Sequence, residues 1–331
     1  MSKRRVVKIE HHEFVDDVES GQEVKGLDLL VKVQAASINP ADARKVEHLN
    51  PLRPKVVGYD GLGTILEKGE QVDDFEVGDV VYYAGSNLRA GSFQEKQLID
   101  SRIVARMPKK LTEAQAVGFP LVSLTAYEML FEKFKFVSEE NANKGKKILI
   151  INGAGGVGSI ASQLAKWAGL SVYATSSPKN FSWLKSHGVD HPIDYHADSN
   201  NSLQNLNDSS FDATVCFYDI SSYLSEMIRL TKPFGHIGTI VGVNGPLDIT
   251  SMQKKSLSFD WELMFTKAAE DYRVSTQGRI LNKITDLIDS GILRRIDTET
   301  IEGINADNLN KALKLLQTGH NVGKITLVNN V

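Results

Sequence analysis

The segment Gly153-Ala154-Gly155-Gly156-Val157-Gly158 has the spacing G-x-G-x-x-G. Alone that string is a weak signal. Here residues 146–151, a lysine lead-in and a short apolar run, precede it and read as a strand. Val157, Ile160, Ala161, Leu164, Ala165 and Ala168 follow at one-face helical spacing, and Gly169 suits the end of that helix. A strand, a glycine turn and a helix together form the context in which such a loop cradles a pyrophosphate. Gly153 permits the tight turn, Gly155 lets the backbone approach the phosphates, and Gly158 lets the helix pack on the strand. Gly156 and Val157 open the helix, whose first N–H groups and partial positive charge face the anion.

The next strand, residues 171–175, decides the cofactor. An NAD site usually ends this strand with Asp or Glu for the ribose hydroxyls. The sequence runs on as Ser176-Ser177-Pro178-Lys179, and residues 141–189 contain six lysines and no carboxylate. Two hydroxyls and an ammonium suit a 2′-phosphate, which a carboxylate would repel. Ser176, Ser177 and Lys179 therefore point to NADPH. Ser177-Pro178 is equally a helix start, with serine as the cap and proline at the first position.

These residues need elements to hold them. Residues 1 to about 110 look β-rich, with a strand at 29–35, a turn running into another strand within 77–83, and glycines at short intervals. That pattern suggests a compact barrel or sandwich. From residue 114 onward strands alternate with helices, with further strands expected at 213–218 and 235–241 and a short helix at 181–187. Such alternation implies an α/β domain with a parallel sheet covered on both faces. The tail is expected to form helices at 277–289 and 307–317 and a strand at 324–328. Residues 200–210 are polar and Asn-rich and read as a surface loop.

A chain of 331 residues has room for about two domains. Its formal net charge of −3 gives no basic surplus for nucleic acid. Its one cysteine, Cys216, excludes an internal disulfide framework and a mainly thiolate zinc site. No apolar run reaches about 18 residues, and no signal-peptide pattern follows the basic start. A cytoplasmic protein, with no membrane partner, is expected.

Further motifs resemble the medium-chain dehydrogenase/reductase superfamily over nearly the whole chain. Phe75-Glu76-Val77-Gly78-Asp79-Val80-Val81 matches its F-x-V-G-D-x-V signature, and Leu124-Thr125-Ala126-Tyr127 the L-T-A-Y of quinone reductases. The segments around Asn39 and Tyr59 resemble those that carry catalytic zinc ligands in alcohol dehydrogenases. Where those enzymes hold cysteine, histidine and a second cysteine, this chain has Asn39, Tyr59 and Leu121. A catalytic zinc needs three protein ligands, so no metal is expected. His187 and His191 are read as loop histidines.

The resemblance therefore implies the zinc-free quinone oxidoreductase-like branch. A GroES-like β-barrel catalytic domain would comprise 1–122 and 265–331, and a Rossmann domain 123–264, with NADPH in the cleft between them. Hydride would pass to a quinone or an α,β-unsaturated carbonyl, whose delocalised charge lessens the need for a Lewis acid. Tyr59 is the first candidate donor to the acceptor oxygen, and Asn39 a candidate contact to substrate or ribose. Asp60 is expected to make a structural hydrogen bond. The resemblance places Thr125, Tyr195, Phe217, Gly242, Val243, Phe259 and Lys324 around the cofactor. It also implies a homodimer paired along the Rossmann sheet. A zinc alcohol dehydrogenase and a non-catalytic nucleotide-binding protein stay open as alternatives.

Overall fold

The computed structural model describes residues 3–48, 50, 52, 55–196 and 200–329. The chain forms two compact units, Met1–Leu124 with Phe265–Val331, and Thr125–Met264.

In the first unit, Lys3–Glu10 and Glu13–Ser20 form an antiparallel hairpin. Its two-residue turn, His11-His12, has both φ angles positive, the geometry that matches the twist of the strands. A seven-stranded sheet carries the rest of the unit. Its main path runs Asp297–Glu302, Lys324–Val328, Asp28–Ile38, Asp60–Lys68, Val80–Ala84, Val104–Arg106, with Lys96–Asp100 also paired to Asp28–Ile38. The long strand Asp28–Ile38 has two register shifts against Asp60–Lys68 and pairs with three strands, Asp60–Lys68, Lys96–Asp100 and Lys324–Val328. Apolar residues gather in separate clusters. One holds Ile38, Val57, Phe93, Leu309 and Leu327, the other Leu29, Ile65, Val81 and Ile103. Each fully buried aliphatic side chain contributes about 1.5–3 kcal/mol relative to exposure.

The second unit is a six-stranded parallel sheet in the order His191–Asp194, Ser171–Ser176, Lys147–Ile151, Phe211–Cys216, Thr231–Thr239, Ser258–Trp261. Its central strands are buried along most of their length because both faces are covered. The strand order reverses beside Lys147–Ile151: chain order proceeds outward on one side through Ser171–Ser176, then restarts on the other at Phe211–Cys216. In open α/β sheets this switch point is where ligands bind. The glycine loop follows Ile151 and stands there.

Several expectations change in detail. The strand read at 235–241 is Thr231–Thr239, and the one at 213–218 is Phe211–Cys216. His191 begins a strand and stacks on Tyr173, so it is not a loop histidine. His187 ends the helix Phe181–Ser186 and stacks on Trp183. Within 200–210, Leu203 is buried and belongs to a core cluster, so that segment is more than a solvated loop.

Candidate active site

The phosphate loop is built by one left-handed residue and one close approach of helix to strand. Asn152 has φ +67°, a left-handed conformation that asparagine tolerates. Its N–H donates to Thr175 Oγ1 at 3.0 Å and its Nδ2 to the Phe217 carbonyl at 3.3 Å. This residue joins the ends of three strands, and the glycine pattern did not reveal it. Gly153 donates its N–H to the Thr175 carbonyl at 2.9 Å. A Cβ on Gly158 would lie 2.4 Å from the Asn152 carbonyl oxygen, so only glycine lets the helix Gly156–Trp167 pass this close to the strand. Gly155 caps that helix and offers no side-chain oxygen to the first-turn N–H groups. Those donors, in Gly156, Val157 and Gly158, suit a pyrophosphate.

At the end of the neighbouring strand, Ser177 caps a short 3₁₀ turn, Pro178–Asn180, but its hydroxyl makes no capping bond. Instead Asn180 Nδ2 donates to Ser176 Oγ at 3.0 Å and to Ser177 Oγ at 3.4 Å. The serine oxygens serve as acceptors, which leaves their protons to be donated elsewhere. Lys179 is exposed. The sheet also brings in a carboxylate that sequence proximity hid, since Asp194 pairs in register with Ser176. Its Oδ1 is held by the N–H of His196 at 3.1 Å and by His196 Nδ1 at 2.5 Å. Tyr195 is half-exposed and stacks on the His196 ring.

The other residues expected near the cofactor fall into two groups. Phe217 is buried, directly after the strand Phe211–Cys216, and Gly242 has open space where a Cβ would stand. Thr125 is buried in the helix Pro120–Tyr127. By contrast, Val243 and Phe259 pack against a cluster containing Ile151, Cys216 and Met252. The Cys216 thiol is pushed up to about 12, chiefly by burial, and is inert at neutral pH.

In the first unit, Tyr59 is buried, with its ring centroid 4.4 Å from that of Phe265. It lines a small pocket together with Lys45, Val56, Val57, Asn87, Arg89 and Gly91. Its main chain is tightly placed. Gly85 donates its N–H to the Tyr59 carbonyl at 2.7 Å, and Ser92 Oγ donates to the Asp60 carbonyl at 2.6 Å. Gly58, with φ +101°, has no room for a Cβ, which would lie 2.5 Å from the Phe93 ring.

Asn39 and Lys324, which sequence reading set apart, come together on Asp60. Asp60 Oδ2 accepts from Ser37 Oγ at 2.5 Å, Asn39 Nδ2 at 2.9 Å and Lys324 Nζ at 2.9 Å. Its Oδ1 accepts the Leu121 N–H at 2.7 Å. All of these residues are buried. Sequence reading gave Asp60 one structural bond; four converge on it.

Asp42 adds a second buried carboxyl. It accepts the N–H of Asn39 at 2.9 Å and of Gly58 at 3.0 Å. Burial is the main cause that pushes its pKa up to about 7, with nearby Asp60 adding to it. A folded pKa above the ordinary carboxyl value of about 3.9 means its stabilising contribution is complete below that value and is lost as pH rises to 7. Wild-type melting temperature is therefore expected to lose ground against Asp42→Asn between pH 5 and pH 8. A difference constant over that range would show that Asp42 does not titrate there.

Comparison with known proteins agrees with this architecture. Residues 25–109 match the alcohol dehydrogenase GroES-like domain, and residues 187–327 the zinc-binding dehydrogenase family. A zinc-type alcohol dehydrogenase-like protein of Staphylococcus epidermidis is 38% identical over 304 residues, 91% of this chain and 90% of that protein. An NADPH-dependent alkenal/one oxidoreductase of Arabidopsis thaliana is 29% identical over 97% of this chain and 76% of its own. The crystal structure of a candidate zinc-dependent alcohol dehydrogenase from Rhizobium etli superposes with a TM-score of 0.92 at 34% identity, over 100% of this chain and 99% of that one. The chain belongs to the medium-chain dehydrogenase/reductase superfamily of oxidoreductases. That fold implies a nicotinamide cofactor, and the glycine loop and its helix N-terminus fit one.

The residues present do not fit a zinc ion. Asn39 has its amide oxygen on Lys324 and its amide nitrogen on Asp60, and Leu121 offers an alkyl chain. Asp60 already accepts three hydrogen bonds on Oδ2 and one on Oδ1, and the Lys324 ammonium among those donors pairs its charge. Among the described residues, no three or more of His, Cys, Asp and Glu stand together as a metal would require.

Proposed function

We propose that this chain transfers hydride from NADPH to a quinone or an α,β-unsaturated carbonyl, without a metal ion. The observation that carries this reading is the chemistry around Tyr59, where an amide, a phenol and an alkyl chain stand at the positions that match zinc ligands. NADPH, when bound, supplies the hydride. The protein's task is to hold the acceptor and donate a hydrogen bond where negative charge develops. Tyr59 Oη is the donor in this reading. Val56 and Val57 give the neighbouring pocket an apolar wall, and Lys45, Asn87 and Arg89 line it with polar groups. The glycine loop binds the pyrophosphate, and Ser176, Ser177 and Lys179 bind the 2′-phosphate. The name of the Arabidopsis relative, which joins NADPH to alkenals and enones, supports the same reaction class.

The test is NADPH consumption with a panel of quinones and enones, before and after dialysis against a chelator. Turnover is expected in both. Activity that is lost with the chelator and restored by Zn²⁺ would return the chain to the zinc alcohol dehydrogenase reading. NADPH binding without turnover on any acceptor would make it a nucleotide-binding protein.

We further propose a homodimer formed along Ser258–Trp261, the outer strand of the parallel sheet. An outer strand offers unpaired backbone groups for a second copy, and Trp261 and Leu263 expose large apolar side chains beside it. A monomeric mass by light scattering at micromolar concentration would refute it. No helix among the described residues is long and apolar enough to cross a membrane, and we place the protein in the cytoplasm.

A further inference from the structure

We propose that Lys324 is a positioning residue that acts through Asp60 to hold Tyr59 and the segments around it, and that it does not contact the cofactor. The part of this proposal that concerns Tyr59 rests on the function proposed above.

The ammonium of Lys324 has three donors, and the protein provides three acceptors. They are Asp60 Oδ2 at 2.9 Å, Asn39 Oδ1 at 2.5 Å and the Ile38 carbonyl at 3.4 Å. The side chains of Lys324 and Asp60 are 4% and 0% exposed. An ammonium committed and enclosed in this way is not presented to a phosphate or a ribose. That sets the geometry against the cofactor role which family resemblance suggests for this lysine.

Asp60 distributes the effect. Its carboxylate joins Ser37 at the end of Asp28–Ile38, Asn39 at the cap of Pro40–Glu47, and Leu121 in the first turn of Pro120–Tyr127. Lys324 adds the strand Lys324–Val328. Tyr59 directly precedes Asp60, and its other neighbour, Gly58, is held by Asp42. A bound cation would give the same service, drawing several chain segments onto one centre. Here the cation belongs to the chain.

A buried ion pair gains little over an apolar pair of the same volume, whereas losing one partner leaves an uncompensated charge. That asymmetry supplies the test. Lys324→Met alone strands the Asp60 carboxylate. Lys324→Met with Asp60→Asn removes both charges and keeps a side chain that can still bond Leu121 and Asn39. Melting temperature, the NADPH dissociation constant, kcat with an enone, and amide hydrogen exchange of the peptides containing Asn39 and Leu121 are measured for wild type, both single variants and the double.

For Lys324→Met we expect a lower melting temperature, faster exchange in both peptides and a kcat reduced about tenfold or more. NADPH affinity should stay within about threefold of wild type. In the double variant melting temperature, exchange and kcat should return most of the way. A loss of NADPH affinity of about tenfold in both the single and the double variant would make Lys324 a cofactor contact and overturn the proposal. Recovery of stability without recovery of kcat would reduce the pair to a structural element, which also overturns it. If Lys324→Met does not fold, the double decides alone: folded and active supports the proposal, while folded and inactive or unfolded refutes it. A wild type that turns over no acceptor refutes the proposed function. In that case NADPH affinity and the restoration of exchange protection decide the placement of Lys324.

Discussion

Ser177→Asp is expected to reverse the cofactor preference, weakening NADPH by about a hundredfold while NADH binds as well as before or better. Hydrogen bonds to charged groups contribute about 1.5–3 kcal/mol each, and each 1.4 kcal/mol is about a factor of ten in affinity. Removing one contact to the 2′-phosphate thus costs about tenfold to a hundredfold. The new carboxylate adds repulsion of the phosphate and offers the ribose hydroxyls an acceptor. The local geometry favours a clean result. Ser177 makes no capping bond and takes only a 3.4 Å contact from Asn180, so aspartate replaces no structural hydrogen bond of consequence. Asp194, the register partner of Ser176, has His196 on its Oδ1. Fluorescence titration of both proteins with both cofactors measures the effect. Equal affinity of the wild type for NADH and NADPH would leave Ser177-Pro178 as a helix start and Lys179 as a surface lysine.

What was legible in the sequence, and what was not, follows from the range of the interactions. The glycine loop could be read because strand, turn and helix are contiguous, and periodicity reports local burial. The unit formed by 1–124 and 265–331 holds its chemistry differently. Ser37, Ile38, Asn39, Asp60, Leu121 and Lys324 meet through hydrogen bonds that span up to 286 residues, and no local pattern records that. Nothing in the local sequence pairs Asp60 with Lys324, and the sheet pairing of Lys324–Val328 with Asp28–Ile38 makes them partners. Asp194 shows the same limit. The stretch without carboxylates ended one residue before Asp190, yet parallel pairing sets Asp194 beside Ser176. Asn152 and Asn180 are of another kind. They lie next to the motif, and the preference of asparagine for left-handed and capping positions was the signal that could have found them.

Tyr59→Phe is expected to lower kcat on enones and quinones by about a hundredfold or more, the usual effect of deleting one donor to a developing oxyanion. The change removes a single oxygen. The ring that packs on Phe265 stays, and so do the main-chain bonds of Gly58, Tyr59 and Asp60. NADPH affinity should hold, since the change leaves the residues proposed to bind its phosphates untouched. A fall in kcat with an unchanged cofactor dissociation constant would therefore locate the loss in the transition state. Steady-state rates at saturating NADPH, with a direct titration beside them, separate the cases. Unchanged turnover on every acceptor would remove the phenol from the mechanism and leave Tyr59 a packed ring. A matching loss of stability would instead show that its hydroxyl serves the fold. Asp60→Asn offers the contrast: it weakens the network behind Tyr59 and spares the phenol, so a variant with a smaller loss of kcat and a larger loss of stability is expected there.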